Sequence, residues 1–264
     1  MDMMELIRTR KSVRTFDGRP ISDTDREKLK EFIGSITNPY GIPVKSVLMD
    51  AEEHGLSSPV IQGAKLYIAG KVPKVDHCEE AFGYAFEKMI LYAWSLGIGT
   101  TWIGGTMDRR LFEREAGVHN AEIMLCVSPL GYPVKKRSLK ETAMRAGVQA
   151  NKRKSVSELF FENDLTSPLN EKNDIILKAL EAVRLSPSAV NKQPWRIIKY
   201  GDKYNFYEKH TLNRTNDLWD VQKVDMSIAI CHFMTIVDGK LSKETPPVNV
   251  PDDMEYIATI QVNI

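Results

Sequence analysis

The amino-acid sequence predicts an α+β fold built from two related halves. A long apolar helix followed by a strand occurs in the first half of the chain and again in the second. The order helix, strand, helix, strand in each half differs from the βαβ alternation that produces a long parallel array. We therefore expect a degenerate duplication, with a hairpin in the second half.

The first half contains periodic segments separated by loops. Hydroxyl and carboxylate residues at 22–25 form a capping-box variant, which favours a helix start. Residues 37–62 hold several prolines and glycines without a sustained period and are predicted to be loop-rich. Gly97 is expected to end the long apolar helix as a left-handed cap. The predicted elements are helices at 23–36, 82–96 and 107–116 and strands at 65–69 and 123–127.

The second half follows a similar plan. A short turn at 201–203 separates two apolar segments, which is typical of a hairpin. Residues 135–170 are basic and then polar, and they are expected to connect the halves. The predicted elements are helices at 174–185 and 226–237, hairpin strands at 196–200 and 204–207, and a closing strand at 256–264.

Composition excludes several classes of protein. The 264 residues are 42% hydrophobic and 27% charged, as in ordinary globular proteins, and Lys+Arg 36 against Asp+Glu 35 leaves a net charge of +1. This balance argues against a nucleic-acid partner, and no apolar run is long enough for a membrane span. The first residues lack the apolar core of a signal peptide, so a cytoplasmic protein is expected. Three scattered cysteines and five isolated histidines predict neither a disulfide framework nor a metal site.

Four segments carry candidate chemistry, and the first is basic. The box Arg10-Lys11-Ser12-Val13-Arg14 combines guanidinium groups with a hydroxyl, a set that suits a phosphate monoester. The alternative is a solvated basic strand, which this segment alone would favour because short basic runs are common.

The second segment, Ser186–Trp195, contains two prolines and two amide side chains. In extended backbone Asn191 and Gln193 would point the same way, and two aligned amides could address the edge of a heterocycle. The alternative is a polar connection anchored by a buried Trp195.

The third segment, Leu96–Gly105, has four glycines but lacks the third glycine of a dinucleotide fingerprint and follows a helix. Such glycines suggest backbone approaching something flat. The fourth, Gly131-Tyr132-Pro133, precedes the basic residues 135–137, and further basic residues follow at 152–154. These charges could face the same anion or belong to a solvated linker.

Together the four segments resemble the FMN-dependent nitroreductase family. The family has four characteristic motifs, and each is present here: an SVR-type box at 10–14, a GxGTxWIG loop at 97–104, a GYP turn at 131–133 and a PSxxNxQPW segment at 187–195. The resemblance implies an α+β fold with mainly antiparallel central sheets and long buried helices. It also implies bound FMN, which takes hydride from NAD(P)H and passes it to a small electrophilic acceptor such as a nitroaromatic or quinone.

One departure from the family pattern concerns chain organisation. Ordinary members carry PSxxN soon after the basic box and pair as dimers that share their flavins, whereas here Thr37–Pro43 stands at that position. The chain therefore resembles a branch in which two half-units are fused as a pseudo-dimer. This resemblance implies a first half at 1–150, a second half at 151–264, one FMN per chain and a monomer that mimics a dimer, with further association open.

The resemblance also implies roles for individual residues. No acid–base side chain is implied as catalytic. The phosphate and ribityl end of FMN would meet Arg10, Lys11, Ser12, Arg14 and either Lys152 or Arg153. The pyrimidine side of the ring would meet Pro187, Ser188, Ala189 and Asn191. The other ring edge would meet Trp102, Ile103, Gly104 and Gly105. A backbone N–H of this last group would meet flavin N5. Two alternatives are a flavin carrier or sensor without turnover and a relative that dehalogenates or fragments the flavin.

Overall fold

The computed structural model describes residues 2–136, 138–212, 219–243, 246 and 249–263. The chain divides into two compact units. The first unit comprises Thr9–Val148, and the second comprises Asp2–Arg8 with Gln149–Ile264. Helix α1 (Met3–Thr9) begins the chain and buries Met4, Leu6 and Ile7.

The first unit contains a three-stranded antiparallel sheet in the order β1-β2-β3. Helix α3 packs on this sheet and is buried around most of its circumference, and α2 packs on α3. The elements are α2 (Asp23–Ser35), β1 (Lys45–Asp50), β2 (Leu66–Pro73), α3 (Cys78–Ser95), α4 (Arg109–Glu115), β3 (Glu122–Leu130) and α5 (Leu139–Gly147).

The second unit contains a five-stranded sheet in the order β4-β5-β6-β8-β7. Its pairs are antiparallel except for the parallel pair β4 and β5, and α8 packs on β6 and on α7. The elements are α6 (Val156–Leu159), β4 (Phe160–Glu162), α7 (Asp174–Leu185), β5 (Trp195–Tyr200), β6 (Lys203–Lys209), α8 (Val221–Ile236), β7 (Gly239–Ser242) and β8 (Met254–Val262).

The predicted α+β class with mainly antiparallel sheets is confirmed. In both units a helix precedes a hairpin, a buried helix follows, and a later strand pairs with the second hairpin strand. The predicted helices and the hairpin at 195–209 are present with boundaries shifted by a few residues. The predicted closing strand corresponds to β8, while Ile264 lies outside the described residues.

Two regions contain elements that the sequence pattern does not indicate. Strand β1 lies within 37–62, and its half-buried residues do not alternate clearly between faces, so the sequence carries no strand pattern there. The predicted connection 135–170 contains α5, α6 and β4. Ser138 accepts a hydrogen bond from the Glu141 N–H and so caps α5, while Phe160 and Phe161 bury β4 beside β5. Helix α1 was not predicted at all.

Two further observations concern the described residues as a whole. Within them, no helix is both long and apolar enough to cross a membrane. Cys78, Cys126 and Cys231 are buried, and among the described residues none of them forms a disulfide. Cys126 lies in β3 and Cys231 in α8, and both belong to the buried core.

Candidate functional site

The basic box runs beside the glycine loop within the first unit. The Val13 N–H donates to the Thr100 carbonyl oxygen at 2.8 Å, and Ser12 forms a parallel bridge with Thr100. The Gly99 N–H donates to the Gly131 carbonyl oxygen at 2.8 Å, so the GYP turn borders the same loop. Three of the four sequence motifs are therefore brought together in this unit.

Two glycines allow this close packing. A Cβ at Gly99 would lie 2.9 Å from the Cβ of Val13 and 3.0 Å from the Cγ of Pro133, and a Cβ at Gly131 would lie 2.8 Å from the Cδ1 of Phe16. These separations are shorter than van der Waals contact, so a larger residue at either glycine would force the neighbouring segments apart. At Gly99 the close neighbour is the protein's own basic box and not the flat ligand that the sequence suggested.

Arg10 is the buried cation of the box. Its side chain is 5% exposed, and its Nε lies 3.9 Å from Oε1 of Glu87, a fully buried residue of α3. The other oxygen of Glu87 accepts a hydrogen bond from Trp102 Nε1 at 3.2 Å. Within the described residues, Nε and Nη1 of Arg10 are buried without a hydrogen-bond partner. Because buried polar groups are normally hydrogen-bonded, these nitrogens fit an anionic ligand.

The other box residues differ in their surroundings. Lys11 is exposed and Ser12 is half-buried. Burial lowers the pKa of the Arg14 guanidinium, while the negative charge of Glu141 acts in the opposite direction. Glu141 Oε2 also accepts hydrogen bonds from Thr15 Oγ1 at 3.0 Å and from the Arg14 N–H at 3.3 Å. A buried carboxylate from α5 therefore supports the end of the box.

The segment Trp102–Gly105 continues from the glycine loop toward α4. Ile103 and Val127 exchange two backbone hydrogen bonds of 2.9 Å, and the Gly104 carbonyl oxygen accepts from Arg109 Nη2 at 2.7 Å. A Cβ at Gly105 would meet nothing within 4 Å. The Ile103 N–H is thus used by the protein, which leaves the N–H groups of Gly104 and Gly105 as candidates for a ligand contact.

Residues 187–193 of the second unit, named the PSAVN segment or PSAVN turn after their first five residues, do not have the extended backbone that the sequence predicts. Residues Ala189–Asn191 form a 3₁₀ turn. The φ angles of Val190, Asn191 and Gln193 are 42°, 59° and 52°, in the left-handed region that non-glycine residues seldom adopt. Pro187 is half-buried, and Trp195 is fully buried at the start of β5.

The two amide side chains do point to one place, but they bind protein there. Asn191 Nδ2 donates to the carbonyl oxygens of Gln149 at 2.8 Å and Lys152 at 3.0 Å. Gln193 Nε2 donates to the Lys152 carbonyl oxygen at 3.3 Å, and Gln193 Oε1 accepts from the Lys154 N–H at 2.8 Å. The amides therefore join the PSAVN segment to residues 149–154.

Lys152 and Arg153, the two basic residues proposed as phosphate partners, differ in their surroundings. Arg153 Nη1 donates to the Ala150 carbonyl oxygen at 3.0 Å and to Asn191 Oδ1 at 3.2 Å, and Nη2 donates to the Leu185 carbonyl oxygen at 3.4 Å. Lys152 is exposed. Arg153 therefore holds the loop together, whereas Lys152 keeps a side chain that solvent can reach.

A buried carboxylate supports the PSAVN segment from α8. Both carboxylate oxygens of Asp225 accept from the Ala189 N–H at 3.0 Å, and Asp225 is 4% exposed. Burial raises the pKa of Asp225 well above its ordinary value; the Ala189 hydrogen bond opposes this, and the nearby charges of Glu208 and Asp220 add to it. Ser188 Oγ closes the turn by accepting from the Gln193 N–H at 2.9 Å.

Sequence reasoning missed three buried carboxylates beside the motifs: Glu87, Glu141 and Asp225. Each lies in a helix, and each is less than 5% exposed. For Glu87 and Asp225 a signal was available, because an acidic residue on the apolar side of a buried helix requires a specific partner. The partners themselves come from distant parts of the chain and could not be read from the spacing.

The α+β fold, the phosphate-compatible box and the glycine loop define a nitroreductase-like protein. A comparison with protein-family models matches residues 2–236 to the family described as "Putative TM nitroreductase". The chain therefore belongs to this nitroreductase family, which places it among the oxidoreductases.

Solved structures resemble the chain to different extents. A nitroreductase structure from Thermotoga maritima MSB8 is 21% identical, covers 100% of this chain and 95% of its own, and has a TM-score of 0.65. An FMN-dependent nitroreductase from Clostridium difficile R20291 matches 52% of this chain and 92% of its own at 17% identity and a TM-score of 0.44. An NADH dehydrogenase/NAD(P)H nitroreductase from Bacteroides thetaiotaomicron VPI-5482 matches 52% and 89% at 18% identity and 0.44. No curated protein matches the chain.

Proposed function

We propose that this protein binds FMN and uses it to transfer hydride from NAD(P)H to nitroaromatics, quinones or similar acceptors. The observation that carries the proposal is Arg10, whose buried nitrogens have no hydrogen-bond partner among the described residues. A phosphate could accept from both nitrogens and balance the positive charge of the box. Membership of the nitroreductase family supports the reaction class.

In this proposal the first unit supplies the phosphate contacts and one ring edge. Arg10, Lys11, Ser12 and Arg14 would bind the phosphate and ribityl end. The half-buried Trp102 and the N–H groups of Gly104 and Gly105 would border the ring near N5, with Ile103 fixed to β3 behind them. Lys152 of the second unit would add a further positive charge.

The second unit would supply the pyrimidine side through Pro187, Ser188, Ala189 and Asn191. The amide hydrogens of Asn191 are donated to protein carbonyl groups, and Oδ1 accepts from Arg153. Its remaining contribution to a ligand would be through the second acceptor position of Oδ1 and through the shape of the turn. Arg153 would act by holding Asn191 and the segment 149–154 in place. These assignments rest on motif positions and on the contacts within each unit.

The proposed mechanism relies on positioning. When bound, FMN supplies the chemistry of accepting and releasing hydride, which belongs to the cofactor. The chain would bind the phosphate through the basic box and donate backbone N–H groups beside N5, where such dipoles adjust the reduction potential. It would also hold the nicotinamide or acceptor over the ring in reactive geometry. No side chain is assigned as a general acid or base.

The repeated order of elements in the two units supports the further proposal that the chain is a fused pseudo-dimer. Residues 153–156 of the second unit repeat the Arg-Lys-Ser-Val of the basic box, but Ser157 stands where the box has Arg14. In the first unit Thr37–Pro43 replaces PSxxN after α2, so the partner motif of a second site is missing. We therefore propose that the reciprocal site has been lost and that the protein acts as a single chain. Its three buried cysteines, none of them in a disulfide within the described residues, suit the reducing cytoplasm.

This proposal predicts one FMN per chain. Purified protein saturated with FMN and freed of excess ligand should give a flavin-to-protein ratio near one by absorbance and quantitative amino-acid analysis. A ratio near two would show that the second site is retained and would contradict the lost-site proposal.

Arg14→Ala should weaken FMN binding by about 1.5–3 kcal/mol, the range for hydrogen bonds to charged groups. Arg110→Ala on α4 is a suitable control because it removes an exposed arginine outside the box. Fluorescence titration of the apoprotein with FMN and with riboflavin, which lacks the phosphate, measures the effect. Equal loss of affinity for FMN and riboflavin would show that Arg14 does not bind the phosphate.

The reaction itself is tested by anaerobic mixing of the FMN-loaded protein with NADH or NADPH. The proposal expects bleaching of the flavin absorbance and its return when a quinone or nitroaromatic is added. If neither nucleotide reduces the flavin, the oxidoreductase proposal fails, and a flavin carrier or sensor would become the better description. If reduced flavin returns electrons only with loss of halide or breakage of the ring, the reaction class is different.

A further inference from the structure

The PSAVN turn holds three residues in conformations that isolated chains disfavour. Val190, Asn191 and Gln193 all have positive φ angles, and none is glycine. Such residues persist only where surrounding contacts determine the backbone, and they often cluster at ligand sites. The contacts that hold this turn are therefore expected to control its ligand-binding shape.

Most of these contacts are neutral hydrogen bonds. Asn191 and Gln193 bind backbone groups of residues 149–154, and Ser188 Oγ accepts from the Gln193 N–H. Asp225 is different, because it accepts the Ala189 N–H with both oxygens of a buried carboxylate. Among the described residues no cation pairs with it.

The location of Asp225 is unfavourable for a carboxylate with a purely structural role. It lies 4% exposed in the second turn of α8, and the acidic groups that act on it are Glu208 of β6 and Asp220 at the start of α8. A neutral or apolar side chain would avoid this desolvation and repulsion. What the carboxylate provides is a strong acceptor directed at the first N–H of the strained turn.

We propose that Asp225 is a positioning residue that fixes the Ala189 N–H and thereby holds the PSAVN turn in the shape that binds the ring of the flavin. Asp225 acts through Ala189 and is not assigned a contact with the ligand. The inference rests on the proposed function, because the turn is taken to be the pyrimidine side of the FMN site. It adds a determinant on α8 that none of the sequence motifs contains.

The test compares three substitutions in α8. Asp225→Asn keeps an oxygen acceptor without the charge, and Asp225→Leu has similar size and no acceptor. Val224→Ala is the matched control, since it removes buried apolar volume at the neighbouring position, which is 1% exposed, and leaves the Ala189 contact intact. Asp225→Ser is the second variant without a full-length acceptor if the leucine variant does not fold.

The first measurement is hydrogen exchange of the Ala189 amide in the protein without flavin. Loss of the hydrogen bond from the Ala189 N–H is expected to accelerate exchange roughly tenfold or more in Asp225→Leu or Asp225→Ser. Exchange should stay within about threefold of wild type in Asp225→Asn and Val224→Ala. Unchanged exchange in the leucine and serine variants would overturn the positioning role independently of any flavin.

The second measurement is affinity for FMN and for riboflavin. If Asp225 shapes the ring side, Asp225→Leu should weaken both ligands by the same factor, roughly tenfold or more, with Asp225→Asn restoring most of the affinity. Arg14→Ala should weaken FMN alone, which separates the two ends of the site. If Val224→Ala reduces affinity as much as Asp225→Leu does, the effect is one of general stability and the proposal is wrong.

The two measurements distinguish the failure of this inference from the failure of the proposed function. Wild-type protein that binds neither flavin contradicts the proposed function, and with it the role of the turn in flavin binding. Wild-type protein that binds FMN, together with an Asp225→Leu variant of unchanged affinity, overturns only the role of Asp225.

Discussion

Gly99→Ala is expected to destabilise the first unit by about 1–3 kcal/mol, the range for inserting a carbon into a well-packed site, and to weaken FMN binding with it. The new Cβ would lie 2.9 Å from both Cβ and Cγ2 of Val13, which is itself 4% exposed. The Cβ of Val13 belongs to a chain segment tied to the glycine loop by hydrogen bonding to Thr100. Relief of the clash must therefore move the basic box.

Gly105→Ala is the matched control for this substitution. It changes a glycine of the same loop, but the new Cβ meets nothing within 4 Å and the backbone does not require a positive φ. Native-state hydrogen exchange of the β2 and β3 amides reports the stability of the first unit by itself. Equal protection in the two variants would show that the box and the loop are not packed as described.

Glu171→Gln is expected to destabilise the second unit at neutral pH by up to about 3 kcal/mol, and by much less in acid. Glu171 has a side chain that is 8% exposed, and its Oε2 accepts from Lys199 Nζ at 2.8 Å and from the Tyr204 hydroxyl at 3.0 Å. Its other oxygen accepts two backbone N–H groups. Burial alone would raise the pKa of Glu171, but the hydrogen bonds from Lys199 and the backbone outweigh it and lower the pKa to about 2.

The direction of the pH effect follows from the lowered pKa. A folded-state pKa below the ordinary value of 4.5 means that the ionised form favours the folded state. The contribution of ionised Glu171 to the free energy of unfolding is complete when the pH is above 4.5 and is lost as the pH falls through about 2. Hydrogen exchange of the β5 and β6 amides should therefore differ strongly between wild type and Glu171→Gln at neutral pH, with the difference narrowing toward pH 2.

Glu27→Gln provides the control for the acid experiment. Glu27 pairs with Lys30 on the surface of α2, where its side chain is 70% exposed, and such pairs contribute little to stability. A difference between wild type and Glu171→Gln that stays constant with pH would contradict the assigned ionisation. A destabilisation by Glu27→Gln as large as that by Glu171→Gln would point to a general charge effect.

The elements that could be predicted have strong local signals. Helix α7 is predicted with the bounds that the structure shows, because apolar residues recur on one face, and in the structure Asn173 caps it. The β5–β6 hairpin was predicted because a turn containing Gly201 separates two apolar strands. In contrast, β4 has three residues and pairs in parallel with β5, so its formation depends on a partner more than thirty residues away.

The PSAVN segment shows the limit of motif reasoning within the candidate site. The prolines and amides correctly marked an unusual segment, and the expected extended backbone was wrong. Asn191 and Gln193 adopt positive φ angles because their side chains are held by residues 149–154, while Asp225 holds the Ala189 N–H. Each of these stabilising contacts comes from outside the motif.

The sequence by itself determined the α+β class, the long buried helices and the four motifs that indicate the nitroreductase family. These depend on periodicity, turn residues and short spacings, which act over a few residues. Only the tertiary structure decided which residues meet. It placed Glu87 beside Arg10, tied Arg153 to the PSAVN turn and set Val13 against Gly99. Burial makes the two polar contacts costly to leave unsatisfied, and the partners of all three contacts become neighbours only when distant segments pack together.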